Sequence, residues 1–143
     1  MQKYDKIDWE KNYRKNKKDY VIGEGSFGVL KYQPYKDEIL PCWTFNNIKS
    51  SKKSAKKIYR LFKYYIKTKD FPGADIARKY LRMGVKKALG YSSYTEIKNQ
   101  KINKDKWEDP EKYEIYIIFK KYYDKVVKNK QYIHMMKLHL KKH

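Results

Sequence analysis

The chain has 143 residues and a formal net charge of +20, from 36 basic and 16 acidic side chains. Its 41% hydrophobic and 17% aromatic content excludes a disordered polyelectrolyte, and its length can bury a modest core without disulfide or metal staples. The 16 tyrosines supply burial that the few aliphatics cannot, with many hydroxyls expected at the surface.

Residues 1–19 read as a polar arm resting on the main body, anchored by Ile7, Trp9 and Tyr13, with Asp8 placed to cap one or two helical turns. Between 20 and 45 the pattern is not helical. Tyr20, Val21 and Ile22, and then Phe27, Val29, Leu30 and Tyr32, flank the turn residues Gly23, Glu24, Gly25 and Ser26. That arrangement predicts a small β-hairpin. Pro34 and Pro41 bound a segment that is not one regular helix, and Trp43 and Phe45 are expected to enter the core.

Residues 50–90 predict two amphipathic helices joined by a turn around Phe71, Pro72 and Gly73. In the first, Ala55, Ile58, Phe62, Tyr65 and Ile66 share a face, and Ser50 or Ser51 is the expected cap. Lys53, Lys56, Lys57, Arg60, Lys63 and Lys67 form a second row. In the second helix Ile76, Ala77, Tyr80, Leu81, Gly84 and Ala88 make the apolar face. Arg78, Lys79, Arg82, Lys86 and Lys87 lie mostly off that face. Pro72 suits the start, Asp75 is expected in the first turn, and Gly90 is expected to end the helix left-handed. Gly84 in mid-helix costs roughly 1 kcal/mol relative to Ala, which implies a close helix–helix approach.

Residues 91–106 read as a polar loop. Asp109, Pro110 and Glu111 are a cap, a first-position proline and a first-turn acid, so a helix opens there although the following EIYIIF resembles a strand. Tyr113, Tyr116, Ile117, Tyr123, Val126 and Val127 are its expected buried stripe. After a break near Asn129, Tyr132, Ile133, Met136 and Leu140 fall at helical steps. The expected class is mainly α with some β (α+β): one compact domain of four or five helices, with a small hairpin near its N-terminal end.

The string Gly23-Glu24-Gly25-Ser26-Phe27-Gly28 matches G-x-G-x-x-G. A kinase reading lacks its H-R-D and D-F-G companions, and the dinucleotide version needs a helix directly after the glycines. A glycine-rich turn is the plain interpretation, and a phosphate nest formed by Gly23, Gly25, Ser26 and Gly28 is the alternative. His134 and His139 are five apart and share no helical face, and no C-x-x-C exists, so no metal and no cofactor are expected. Asp70 and Asp75 are read as capping and charging helix ends, and no paired-carboxylate catalytic site stands out. Cys42, the single cysteine, permits no disulfide and suits a reducing compartment. No signal-like run is present, and the longest apolar run, 115–119, falls far short of the ~20 residues of a membrane span. The expectation is an intracellular protein, cytoplasmic or associated with a nucleoid or virion, without a membrane partner.

The basic rows carry the functional expectation. Of the 36 basic residues four are arginines and 32 are lysines, and AT-rich codons inflate lysine. Codon bias does not explain why only 16 acids balance them. The leading reading is a non-enzymatic, largely sequence-independent DNA- or RNA-binding or packaging protein. Arg60, Arg78 and Arg82 are the preferred phosphate contacts, since a guanidinium binds phosphate with two parallel hydrogen bonds. Trp43, Tyr91 and Tyr94 either stack on unpaired bases or pack. The alternatives are a structural or scaffolding component of a viral or other large assembly that binds protein partners, and an enzyme acting on a nucleotide or nucleic acid.

The run GEGSFGVLKYQPYKDEILPCWTF, then KSAKKIYRLF, then DFPGADIARKYLRMGVKKALGY, resembles an uncharacterised family of small domains. Its pattern reads G-x-G-x-x-G-V-L, P-Y-K-x-E-I-L-P-x-W-x-F, A-x-x-I-Y and D-F-x-G-x-D-x-A-R-K-x-L-x-M-G. The resemblance implies no established activity. Cys42 stands where the family often has His, which argues against a nucleophilic role. Lys86 and Lys87 stand where arginines are commoner, which argues against base-specific reading.

Overall fold

The protein is described by a computed structural model covering residues 6–90 and 109–142. Pro34 opens a short α1 (Tyr35–Ile39) with Asp37 and Glu38 in its first turn. It tightens into a 3-10 turn at Leu40–Cys42, where Pro41 removes a donor. Two 20-residue helices follow, α2 (Ile48–Lys67) and α3 (Phe71–Gly90). Then come α4 (Pro110–Val127) and α5 (Lys130–Lys141). The class is mainly α, with five α-helices among the described residues.

The expected hairpin is not there. Residues 20–32 wind through successive turns, and the β pairing recorded nearby is an isolated bridge between Asn12 and Gln33. The cause lies in the glycines. Gly23, Gly25 and Gly28 hold φ of 67°, 56° and 81°, so the chain reverses repeatedly within six residues and no two runs face each other. Local bonds close these turns, among them Phe27 N–H to the Glu24 carbonyl at 3.0 Å and Tyr32 N–H to the Gly28 carbonyl at 2.9 Å. The N-terminal arm is likewise turns with one 3-10 turn at Lys17–Asp19, and Asp8 caps no helix.

Helix ends differ in detail from the expected ones. Asn47 caps α2 in a capping box whose partner is Ser50, so Ser50 sits at the third helical position and neither Ser50 nor Ser51 is the cap. The helix ends in a Schellman-type turn: Lys69 is left-handed at φ 58°, and Asp70 N–H donates to the Tyr65 carbonyl at 2.8 Å. The reversal therefore falls at 68–70, and Phe71, Pro72 and Gly73 belong to α3. Asp75 consequently lies beyond the first turn, and Gly90 stays helical, without a positive φ. Asp109 caps α4 through the Glu111 and Lys112 amides, with Pro110 first in the helix, and Asn129 caps α5. The 91–106 loop falls outside the described residues.

The buried residues form one cluster, and α3 runs through it, packed on α2 and α4. Of its 20 residues 14 are buried, so α3 is enclosed on nearly every side. The expected apolar faces of α2 and α3 are buried throughout. In α4 the stripe is rotated: Ile115, Tyr116, Phe119 and Val126 are buried, while Ile117 is 41% exposed. On α5 Tyr132 is buried and Leu140 is exposed. Trp43 and Phe45 are half-buried against Phe119.

Gly84 sets the α3–α4 spacing. A Cβ there would stand 2.2 Å from the ring of the fully buried Phe119. Overpacking of this kind outweighs the gain in helix propensity. Gly84→Ala is expected to lower unfolding free energy by about 2 kcal/mol in urea titrations. Gly90→Ala, with nothing within 4 Å of its Cβ, is expected to leave stability equal or raise it by up to about 1 kcal/mol.

Candidate functional site

One face of α3 carries Asp75, Arg78, Lys79 and Arg82 at steps of three and four. The sequence reading placed the three basic residues in an exposed row. The structure turns them toward the N-terminal segment instead. The Asp75 carboxylate is fully buried and accepts from Tyr20 Oη, from Tyr132 Oη at 2.6 Å and from Arg78 Nε at 2.9 Å. Lys79 is fully buried and its ammonium donates to the Ile22 carbonyl and to the Phe27 carbonyl, the latter at 2.9 Å. Tyr80 Oη donates to the Val29 carbonyl at 2.9 Å. The half-buried Arg82 guanidinium lies against Gly25, where a Cβ would come within 3.3 Å of it.

The glycine string is thus a loop whose carbonyls grip a lysine. Gly23 and Gly28 are required for packing as well as for turning, because a Cβ on either would meet Phe27 or Tyr32 at 2.4 Å. Ser26 accepts through its carbonyl from Val29 N–H at 3.3 Å. Arg78 and Lys79 are committed to buried partners and are withdrawn from any external phosphate.

A second network ties the arm to the α2–α3 turn. Arg14 forks onto Glu38 with two bonds of 2.7 Å and donates through Nε to Asp70 at 2.8 Å. Tyr35 Oη donates to Asp70 at 2.6 Å and Tyr65 Oη to Glu38 at 2.7 Å. Asp70 also caps α3 through the Gly73 amide at 3.4 Å. Hydrogen bonds from Arg14 hold the Glu38 carboxyl below its usual range. Every polar partner here is satisfied within the fold, which makes the cluster a clamp.

The row on α2 faces outward. Lys53, Lys56, Lys57, Arg60, Lys63 and Lys67 are all exposed, and α2 contains no acidic residue. From Lys53 to Lys67 the row spans about 21 Å. It continues onto α4, because Tyr59 and Tyr122 meet at 5.1 Å and Lys125 stands over both rings, 5.7 and 5.6 Å from their centroids. Lys63 covers Tyr59 at 5.0 Å. On α3, Lys86 and Lys87 are exposed, and Lys87 lies 5.9 Å from the Trp43 ring. Tyr91 and Tyr94 fall outside the described residues.

A feature that sequence reasoning missed is a groove of about 980 Å³ between the C-terminal end of α2 and α5. Its walls include Ile66, Phe71, Met135 and Leu138, and seven lysines but no acidic residue line it. Five of these, Lys17, Lys18, Lys69, Lys130 and Lys142, come from segments that share no periodicity, so no sequence signal joins them.

These observations describe a basic, mainly helical protein with a cationic exterior and a buried ionic interior. The family described as Domain of unknown function (DUF4385) matches residues 3–142, and the chain belongs to that family. No curated protein and no solved structure matches it. Among the described residues no helix is long and apolar enough to cross a membrane, and no group of three or more His, Cys, Asp or Glu side chains is placed to hold a metal ion.

Two expectations follow. Arg14→Met leaves the buried Asp70 without its counter-charge, and is expected to cost about 3 kcal/mol in chemical denaturation. Stability should also be lost in alkali. Burial pushes the phenols of Tyr80 and Tyr116 up to about 12 from an ordinary 10. Those of Tyr20, Tyr35, Tyr65 and Tyr132 rise further, from burial first and then from their carboxylate partners. The unfolded chain then releases these protons before the native one, so stability falls as pH rises from 10 through 12. Lys79 acts oppositely. Burial lowers it to about 8 from 10.5, so it adds stability as pH rises between those values. Urea midpoints measured from pH 7 to 12 should hold or rise until about pH 10 and then drop.

Proposed function

We propose that the protein is a non-enzymatic, largely sequence-independent nucleic-acid-binding protein that lays the outer face of α2 along backbone phosphates. The observation that carries this reading is the α2 row: six exposed cations at helical spacing on a helix with no acidic residue. Their charges have no partner on the helix that carries them, and lysines meet phosphates as mobile point charges. Sequence independence follows from the arginines. Arg60 is exposed in the row, whereas Arg14, Arg78 and Arg82 are engaged with carboxylates or the glycine loop. Few planar forks remain to read base edges.

Fluorescence anisotropy with labelled duplex DNA and RNA of unrelated sequences tests this. Binding should be similar across sequences. Its log–log salt slope should be about −4 to −6 if five or six cations release counterions. Replacing Lys53, Lys56, Lys57 and Arg60 together by Glu should abolish binding while leaving the fold intact. No binding at low salt, or an affinity unchanged in that variant, rejects the reading.

A further inference from the structure

The groove between α2 and α5 shares Lys63 and Lys67 with the α2 row but adds an apolar strip that the row lacks. We propose that it docks an acidic amphipathic helix of a partner protein. One wall is open on α5: Leu138 is 45% exposed and the half-buried Met135 stands beside it, over a floor to which the buried Ile66 contributes. An exposed leucine beside a half-buried methionine on a helix face, set in a concave surface, is what an apolar helical stripe covers. Around them stand seven lysines, drawn from the 17–19 turn, the end of α2, the α2–α3 turn and both ends of α5, with no acidic residue in the lining. The α5 helix of 12 residues is about 18 Å long, which matches a partner helix of about three turns.

The number and spread of the cations select the occupant. A single carboxylate headgroup engages one or two lysines and leaves the rest unpaired. Cations around an apolar strip call for carboxylates spaced along a ligand with an apolar ridge between them. An amphipathic helix with Glu or Asp flanking its stripe places them so, about 5–6 Å apart along each side. Nucleic acid fits less well. The rings nearest the floor, Phe71 and His139, are only 6% and 8% exposed, and His139 Nε2 donates to the Tyr20 carbonyl at 2.6 Å. Apart from the exposed imidazole of His134, what lies open is aliphatic and thioether, so bases meet one ring and no platform on which successive bases could stack.

The test uses the full chain and four labelled probes in anisotropy titrations. They are an acidic amphipathic peptide of about 14 residues with leucines at helical spacing, a scrambled peptide of the same composition, polyglutamate of equal length, and a single-stranded oligonucleotide. The amphipathic peptide is expected to bind at least about tenfold tighter than the scrambled peptide or polyglutamate. Leu138→Glu should weaken it by about tenfold or more, and the milder Met135→Gln by several-fold. Both positions are solvent-accessible and lie outside the α2 row, so unchanged thermal midpoints are expected, and the uncharged Met135→Gln should leave oligonucleotide binding unchanged. Equal affinity for scrambled and amphipathic peptides overturns the proposal, as does full affinity in L138E. Loss of oligonucleotide binding in L138E without any peptide binding assigns the groove to nucleic acid and also overturns it. Failure of the oligonucleotide to bind at all, with peptide binding intact, removes the reading of the α2 row and leaves this one standing.

Discussion

The irregular N-terminal segment is held by α3. Residues 6–34 contain a single 3-10 turn and no longer helix or strand, so they cannot satisfy their own polar groups through a regular ladder. The polar face of α3 and its cap do this instead. Arg14 reaches Asp70, Tyr20 reaches Asp75, the Ile22 and Phe27 carbonyls receive Lys79, and the Val29 carbonyl receives Tyr80. These anchors rise along one helix in the order in which the segment passes over it. Remove them and the turns of the glycine loop keep only their local bonds. Burying carboxylates and an ammonium is costly unless each is paired, which is why the tyrosines and arginines converge on these same positions.

This arrangement divides a strongly cationic chain into two populations. Half-buried Arg14 and buried Lys79 cross-link segments far apart in sequence, while Arg78 pairs with the buried Asp75 one turn away on α3. Exterior cations on α2, on α4 and around the groove contribute to the surface field. The tyrosines divide in the same way. Tyr20, Tyr35, Tyr65 and Tyr132 bury ring and hydroxyl together and donate to carboxylates, while Tyr59 and Tyr122 lie half-buried under lysines. An aromatic-rich, lysine-rich composition thus serves both core and surface, where a more ordinary chain would use aliphatics for the first.

Much of the helical frame was legible in the sequence. The apolar spacing of α2 and α3, the Asp109–Pro110 opening of α4 and the break near Asn129 are local signals, and local signals survive folding. The implication of Gly84 was also legible, because a helix tolerates such a residue mainly where a neighbour needs the room. The hairpin failed because β-propensity at Tyr20, Val21 and Ile22 was outweighed by three left-handed glycines in six residues. The α4 stripe was read correctly at Tyr116 and Val126 but took Ile117 in place of Ile115 and Phe119, because alternative apolar faces exist on a helix with apolar residues at 115–119. The first half of the basic row on α3 was misread for a different reason: it is turned inward, while Lys86 and Lys87 stay exposed. Helical spacing shows that Asp75, Arg78, Lys79 and Arg82 share a face, but spacing alone does not say what covers that face.

The sequence by itself determined the class of the fold, the positions of its long helices and the excess of positive charge, since propensity, periodicity and composition are properties of neighbouring residues. Only the tertiary structure decided which cations point outward and which are consumed within. It alone brought lysines from four separate segments around one apolar groove. The physical reason is that exposure depends on what packs against a face, and here the covering segment is an irregular wrap with no periodicity of its own.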